Sequence, residues 1–139
     1  MRATVEQGGA SRATSELRLP ALPSELRLAR EYAHRAAAAF GFDAERCHEV
    51  AFAVNEAATN AIRHGRPDEH GHIHLSAVSD GDRLTLTVRD YGTFVASAAG
   101  AAPSPEGGRG FALMAGLMDT VQLCVSPGST TVRLSKARV

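Results

Sequence analysis

Glu56-Ala57-Ala58-Thr59-Asn60-Ala61-Ile62 lies in a run where the apolar residues Val50, Val54, Ala57 and Ala61 recur at spacings of four, three and four. That recurrence is one stripe of an α-helix. It predicts a helix over about residues 44 to 64, with Asp43 as its N-terminal cap. Glu56 and Asn60 are four residues apart, so their side chains share a face and stand one turn from each other. Glu49, Glu56, Asn60 and Arg63 fall roughly a quarter to a third of a turn from the apolar stripe on a wheel of about 100° per residue. One side of this helix packs, and the other carries a carboxylate and a carboxamide. A carboxylate can take a proton, and an amide oxygen can hold a hard cation such as Mg²⁺.

Upstream, residues 1–12 are polar and aperiodic and read as a disordered tail, leaving 13–139 as a single domain. Ser15 to Leu19 alternates weakly, as a short edge strand ending at Pro20 would. Ser24 stands at an N-cap position before a helix with Leu26, Ala29, Ala33, Ala36 and Phe40 on one stripe and Gly41 as its stop. Downstream the period drops to two. Ile73, Leu75 and Ala77 alternate with polar residues, Asp80-Gly81 signals a hairpin, and Leu84, Leu86 and Val88 continue to a strand end at Asp90. Residues 93 to 107 are rich in Ala, Ser, Gly and Pro and read as a mobile loop. A helix over about 109 to 117 follows, with Phe111, Leu113, Met114 and Leu117 as packing candidates. Val121, Leu123 and Val125, a Pro127-Gly128 turn, then Val132 and Leu134 make a second hairpin.

Consecutive hairpins require antiparallel pairing, and the helices must cover one face. The expected fold class is α/β (α+β): a two-layer sandwich of helices on one face of a mixed, mostly antiparallel sheet. Neither Gly-x-Gly-x-x-Gly nor Gly-Lys-Ser/Thr occurs, which excludes Rossmann and Walker elements. The formal net charge is zero, arguing against bulk electrostatic binding to nucleic acid or an anionic membrane. No apolar run approaches the roughly 20 residues of a membrane span, and no signal-peptide pattern is visible, so a cytoplasmic protein is expected. Cys47 and Cys124 read as reduced, structural thiols. His70, His72 and His74, with Asp68 nearby, form a row of the kind that binds Zn²⁺ or Ni²⁺; the plainer reading is an exposed polar strand face.

Three polar segments then fall at element ends in order. Asn55 to Gly65 resembles the N box of the GHKL (histidine kinase-like) ATPases, in the version found in anti-sigma factor serine/threonine kinases. Leu86-Thr87-Val88-Arg89-Asp90-Tyr91-Gly92 resembles the first glycine box, and Gly108-Arg109-Gly110-Phe111-Ala112-Leu113-Met114 the second. Leu117-Met118-Asp119, Gly128 to Leu134 and the Pro20-Ala21-Leu22-Pro23 opening also match, so the resemblance covers about residues 14 to 136.

The resemblance implies a GHKL ATPase fold that binds ATP and Mg²⁺. Glu56 would be the catalytic base, or would orient the attacking hydroxyl. Asn60 would coordinate Mg²⁺. Asp90 would accept a hydrogen bond from the adenine amino group, with Gly92 and Thr130 beside the base. Gly108, Arg109 and Gly110 would meet phosphate at a helix start. Arg63 and His64 would lie beside the phosphates. The implied function is a protein serine/threonine kinase acting on an anti-anti-sigma (STAS) protein and holding a sigma factor by partner switching. A homodimer is implied, with no direct nucleic-acid or membrane partner. The alternative is a non-catalytic module, binding nucleotide or nucleotide-free, that only sequesters its partner. It is favoured by Phe94, which stands where the first glycine box often has a second glycine.

Overall fold

The computed structural model describes residues 4–6, 12–92 and 105–138. Strands β1 (Thr4–Glu6) and β2 (Arg12–Pro20) lead through a short 3₁₀ turn to helices α1 (Leu26–Phe40) and α2 (Ala44–His64). Strands β3 (His72–Asp80) and β4 (Arg83–Asp90), helix α3 (Pro105–Leu117) and strands β5 (Thr120–Ser126) and β6 (Ser129–Ala137) complete the described chain. The sheet runs β1-β2-β3-β4-β6-β5, and each described pair is antiparallel, so the expected mixture with parallel pairing is not found among them.

The period-two segments alternate as the pleat requires. Ile73, Leu75, Leu84, Leu86, Val88 and Leu134 are buried on the helix side of the sheet. Against them pack Ala29, Ala33, Val50, Val54 and Ala57, all essentially inaccessible. Small residues at these helix positions let α1 and α2 lie close to the sheet. The Asp43 side chain caps α2 by accepting from the Arg46 amide at 2.9 Å. Gly41 closes α1 at φ 107°, the left-handed region that favours glycine.

Four expectations are corrected. Thr4–Glu6, placed in a disordered tail, pairs with β2 in the register Thr4↔Thr14, Val5↔Ala13 and Glu6↔Arg12. With β1 on one side and β3 on the other, β2 is not an edge strand. Ser24 does not cap α1: Pro23–Glu25 form the 3₁₀ turn, and α1 starts without a side-chain cap. In α3, Met114 is buried, whereas Phe111 and Leu113 are 38% and 45% exposed. The stripe Gly110, Met114, Met118 faces inward, which turns Phe111 and Leu113 away.

Candidate functional site

The polar face of α2 is enclosed at two points. The first is α3. A Cβ added at Gly110 would stand 3.3 Å from Asn60 Nδ2 and 3.7 Å from Glu56 Oε2. Glu56 and Asn60 are half-buried, and Gly110 brings backbone against both. The helix begins at Pro105 rather than near residue 109, so Gly110 is its sixth residue. Its amide lies past the first four free N–H groups of a helix, and its contribution here is close approach. Gly108 falls at the end of that free first turn.

The second point is the C-terminal end of α2. Asp90 closes β4 and is buried. Its Oδ1 accepts from the Gly92 amide at 2.8 Å, and the Arg66 amide donates to the same carboxylate. Burial raises the Asp90 carboxyl above the ordinary carboxylate range, and the two amides offset part of that rise. Thr130 is the cross-strand partner of Asp90; it is buried, and its hydroxyl donates to the Gly92 carbonyl at 3.4 Å. From Glu56 to His64 the α2 axis advances about 12 Å at 1.5 Å per residue. A carboxylate–carboxamide pair therefore sits in the C-terminal half of one helix, and a buried carboxylate lies at its end.

This donor set fits a magnesium nucleotide. Asn60 offers an uncharged oxygen and Glu56 a carboxylate beside a glycine-walled space, both of them oxygen donors suited to a hard cation. Asp90 has two amide donors and lone pairs remaining for an amino group of a base. Arg63 and His64 are exposed in the last turn of α2. The Arg109 side chain and residues 93–104 of the expected 93–107 loop, Phe94 among them, lie outside what the structure describes, whereas residues 105–107 are the first turn of α3 and not loop. A separate apolar cleft of about 270 Å³ between α1 and β2–β4, walled by Tyr32, Phe40, Ala77 and Leu84, contains none of these residues.

Residues 19–136 match the model of the histidine kinase-like ATPase domain. The chain belongs to that family. An anti-sigma F factor of Anoxybacillus flavithermus is 36% identical over 99 residues, covering 63% of this chain and 67% of the relative. A serine-protein kinase RsbW of Bacillus pumilus is 30% identical over 136 residues, covering 87% of this chain and 83% of the relative. The fold is also that of part of a crystallised chain that comprises the RsbU and RsbW domains of a Mycobacterium tuberculosis protein, with a TM-score of 0.69 at 22% identity. That match covers 88% of this chain and 32% of the longer one.

In this histidine kinase-like ATPase domain the linker after α2 holds positions that the motifs did not single out. Arg66 contributes backbone: its amide donates to Asp90, and its carbonyl accepts from the Tyr91 amide at 2.8 Å. Asp68 organises the same linker. Its Oδ1 accepts from the His70 amide at 2.8 Å and the His72 amide at 3.0 Å, and its Oδ2 is 2.8 Å from His74 Nε2. These bonds, the His72 amide foremost, hold its carboxyl well below the usual range. His74 Nδ1 in turn lies 2.8 Å from the Tyr91 hydroxyl. His72 and His74, at the start of β3, are therefore bonded to the linker carboxylate rather than forming a plain exposed row. Among the described residues, no group of three or more His, Cys, Asp or Glu is arranged to hold a metal. The sequence signal for this linker was the Asp68-x-His70-x-His72-x-His74 alternation, whose partner was the acidic residue at its head.

Proposed function

We propose that the chain binds ATP with Mg²⁺ and transfers a phosphoryl group to a serine or threonine of a STAS-domain antagonist, holding a sigma factor in the alternative state. The observation that carries this reading is the convergence of Glu56 and Asn60 on Gly110, on the same helix whose end meets the buried Asp90. The names of the relatives, anti-sigma F factor and serine-protein kinase, support both halves of the cycle.

Phosphoryl transfer asks a protein for positioning and charge screening more than for covalent chemistry. Bound Mg²⁺ would screen the phosphate charge. Asn60 would hold that ion through its amide oxygen. Glu56 would orient the incoming hydroxyl and receive its proton. Asp90 would accept from the base amino group, selecting adenine over guanine, whose corresponding edge carries an acceptor. Thr130 and Gly92 would shape the space beside the base. Both protein partners place this work in the cytoplasm.

The second reading is a sequestering module without catalysis, and Phe94 at a glycine position of the first box is the feature that favours it. One assay separates the two. Purified protein is mixed with labelled ATP–Mg²⁺ and a STAS protein encoded nearby. Label on a serine or threonine, lost in Glu56→Ala with ATP binding retained, is the expected result. Tight partner binding without transfer would leave only the module. A sizing column on the same preparation tests for a homodimer.

A further inference from the structure

Gly65 is the C-terminal cap that follows α2 and opens the linker, and its backbone does not require glycine. Its φ of −94° and ψ of −160° are extended values open to any residue. Its space does require it. A Cβ built there would stand 2.4 Å from Asp90 Cγ and 2.6 Å from each of its carboxylate oxygens. Nothing at this contact can retreat easily. The Gly65 amide is bonded to the Ala61 carbonyl at 2.9 Å, fixing it to α2. The following residue is tied to β4 through the Tyr91 amide. Asp90 has a short side chain, and its carboxylate is held by the Gly92 and Arg66 amides. Gly92 closes the other side, since a Cβ there would lie 3.3 Å from the Gly65 Cα and 3.2 Å from Asp90 Oδ1. Two glycines thus face each other across one buried carboxylate.

We propose that Gly65 is a positioning residue that sets the Asp90 carboxylate for base selection, so that its missing side chain determines the preference for a purine triphosphate bearing an amino group at the recognised edge. This rests on the nucleotide reading above. The same contact ties the base-recognising carboxylate to the helix that carries Glu56 and Asn60. A methyl group at position 65 would push the carboxylate out of register with the amino group while leaving the rest of the cleft in place.

The test is calorimetric titration of the wild type and Gly65→Ala with ATP–Mg²⁺ and with GTP–Mg²⁺, repeated in an Asp90→Ala background. Gly65→Ala should weaken ATP about tenfold or more and leave GTP within about threefold, where tenfold corresponds to about 1.4 kcal/mol. The ATP-to-GTP preference therefore falls, which general loss of structure would not produce. In the Asp90→Ala background, Gly65→Ala should change neither nucleotide further. An unchanged ATP-to-GTP ratio in Gly65→Ala overturns the proposal, as does an equal loss in both backgrounds. If Gly65→Ala is too unstable to titrate, thermal melts of the four proteins complete the same cycle. A fall in melting temperature that vanishes in the Asp90→Ala background supports the contact; one that persists overturns it. A wild type that binds neither nucleotide defeats the nucleotide reading and this proposal together, whereas a wild type that prefers ATP isolates the outcome to Gly65.

Discussion

Replacing Asp90 by asparagine should separate binding from stability. The side chain is buried at the end of β4 and accepts two backbone amides, Gly92 at 2.8 Å and Arg66. Its carboxyl is raised mainly by burial, so the folded state holds the charged form less readily than the unfolded chain does. For an acid raised in this way, the contribution to stability is full below the unfolded-state value and is lost as pH rises through the folded one. At neutral pH the charged form therefore works against folding, and a neutral isostere removes that cost. Asparagine keeps one oxygen for the amides, so the melting temperature should hold or rise at pH 7. Binding should move the other way. A hydrogen bond to a charged group contributes about 1.5–3 kcal/mol, which predicts ATP binding weaker by roughly 10- to 150-fold. Calorimetry with ATP–Mg²⁺ and thermal melts of both proteins measure the two effects. ATP affinity within about threefold of wild type would refute base recognition by Asp90, given that tenfold is only about 1.4 kcal/mol. A melting temperature that falls with affinity would show that the carboxylate serves the fold.

Other substitutions probe other layers. Asn60→Ala should weaken nucleotide binding in Mg²⁺ about tenfold and change it little in EDTA, as loss of one oxygen ligand for a hard cation requires; equal losses in both buffers would remove Asn60 from the metal. Leu86→Ala, at a position 1% exposed in the centre of the sheet, should cost about 2–5 kcal/mol in urea unfolding, because the cavity adds to lost burial. Asp68→Ala should flatten the acid limb of stability. The Asp68 carboxyl is held low, so its contribution is present above the ordinary value of about 3.9 and is lost as pH falls below it. Melts from pH 7 to pH 3 would contradict this if both proteins lost stability in parallel.

Local patterns carried a large part of this fold. The 3.6-residue stripe of Val50, Val54, Ala57 and Ala61 and the period-two runs of β3 and β4 were legible because burial of one face imposes that spacing. So were the Asp43 cap and the Gly41 stop, which act within a turn of themselves. The weaker readings came where the deciding partner is distant. β1 could not be recognised from three residues without seeing β2, and Ser24 looked like a cap until Pro23–Glu25 tightened into a 3₁₀ turn. Phe111 and Leu113 were equal candidates with Met114 for the core, because a glycine-rich helix offers several apolar arcs and only its seat against α2 selects one.

At the site the division follows the same line. The chain itself places Glu56 one turn from Asn60 and Asp90 at a strand end before Gly92, since these are spacings along one element. That Gly110 closes on the first pair, and that Gly65 and Arg66 enclose the Asp90 carboxylate, was decided only in three dimensions. Close approach between segments far apart in sequence leaves no period to read: a glycine kept free for a neighbour's carboxylate looks, in the sequence, like any other glycine after a helix.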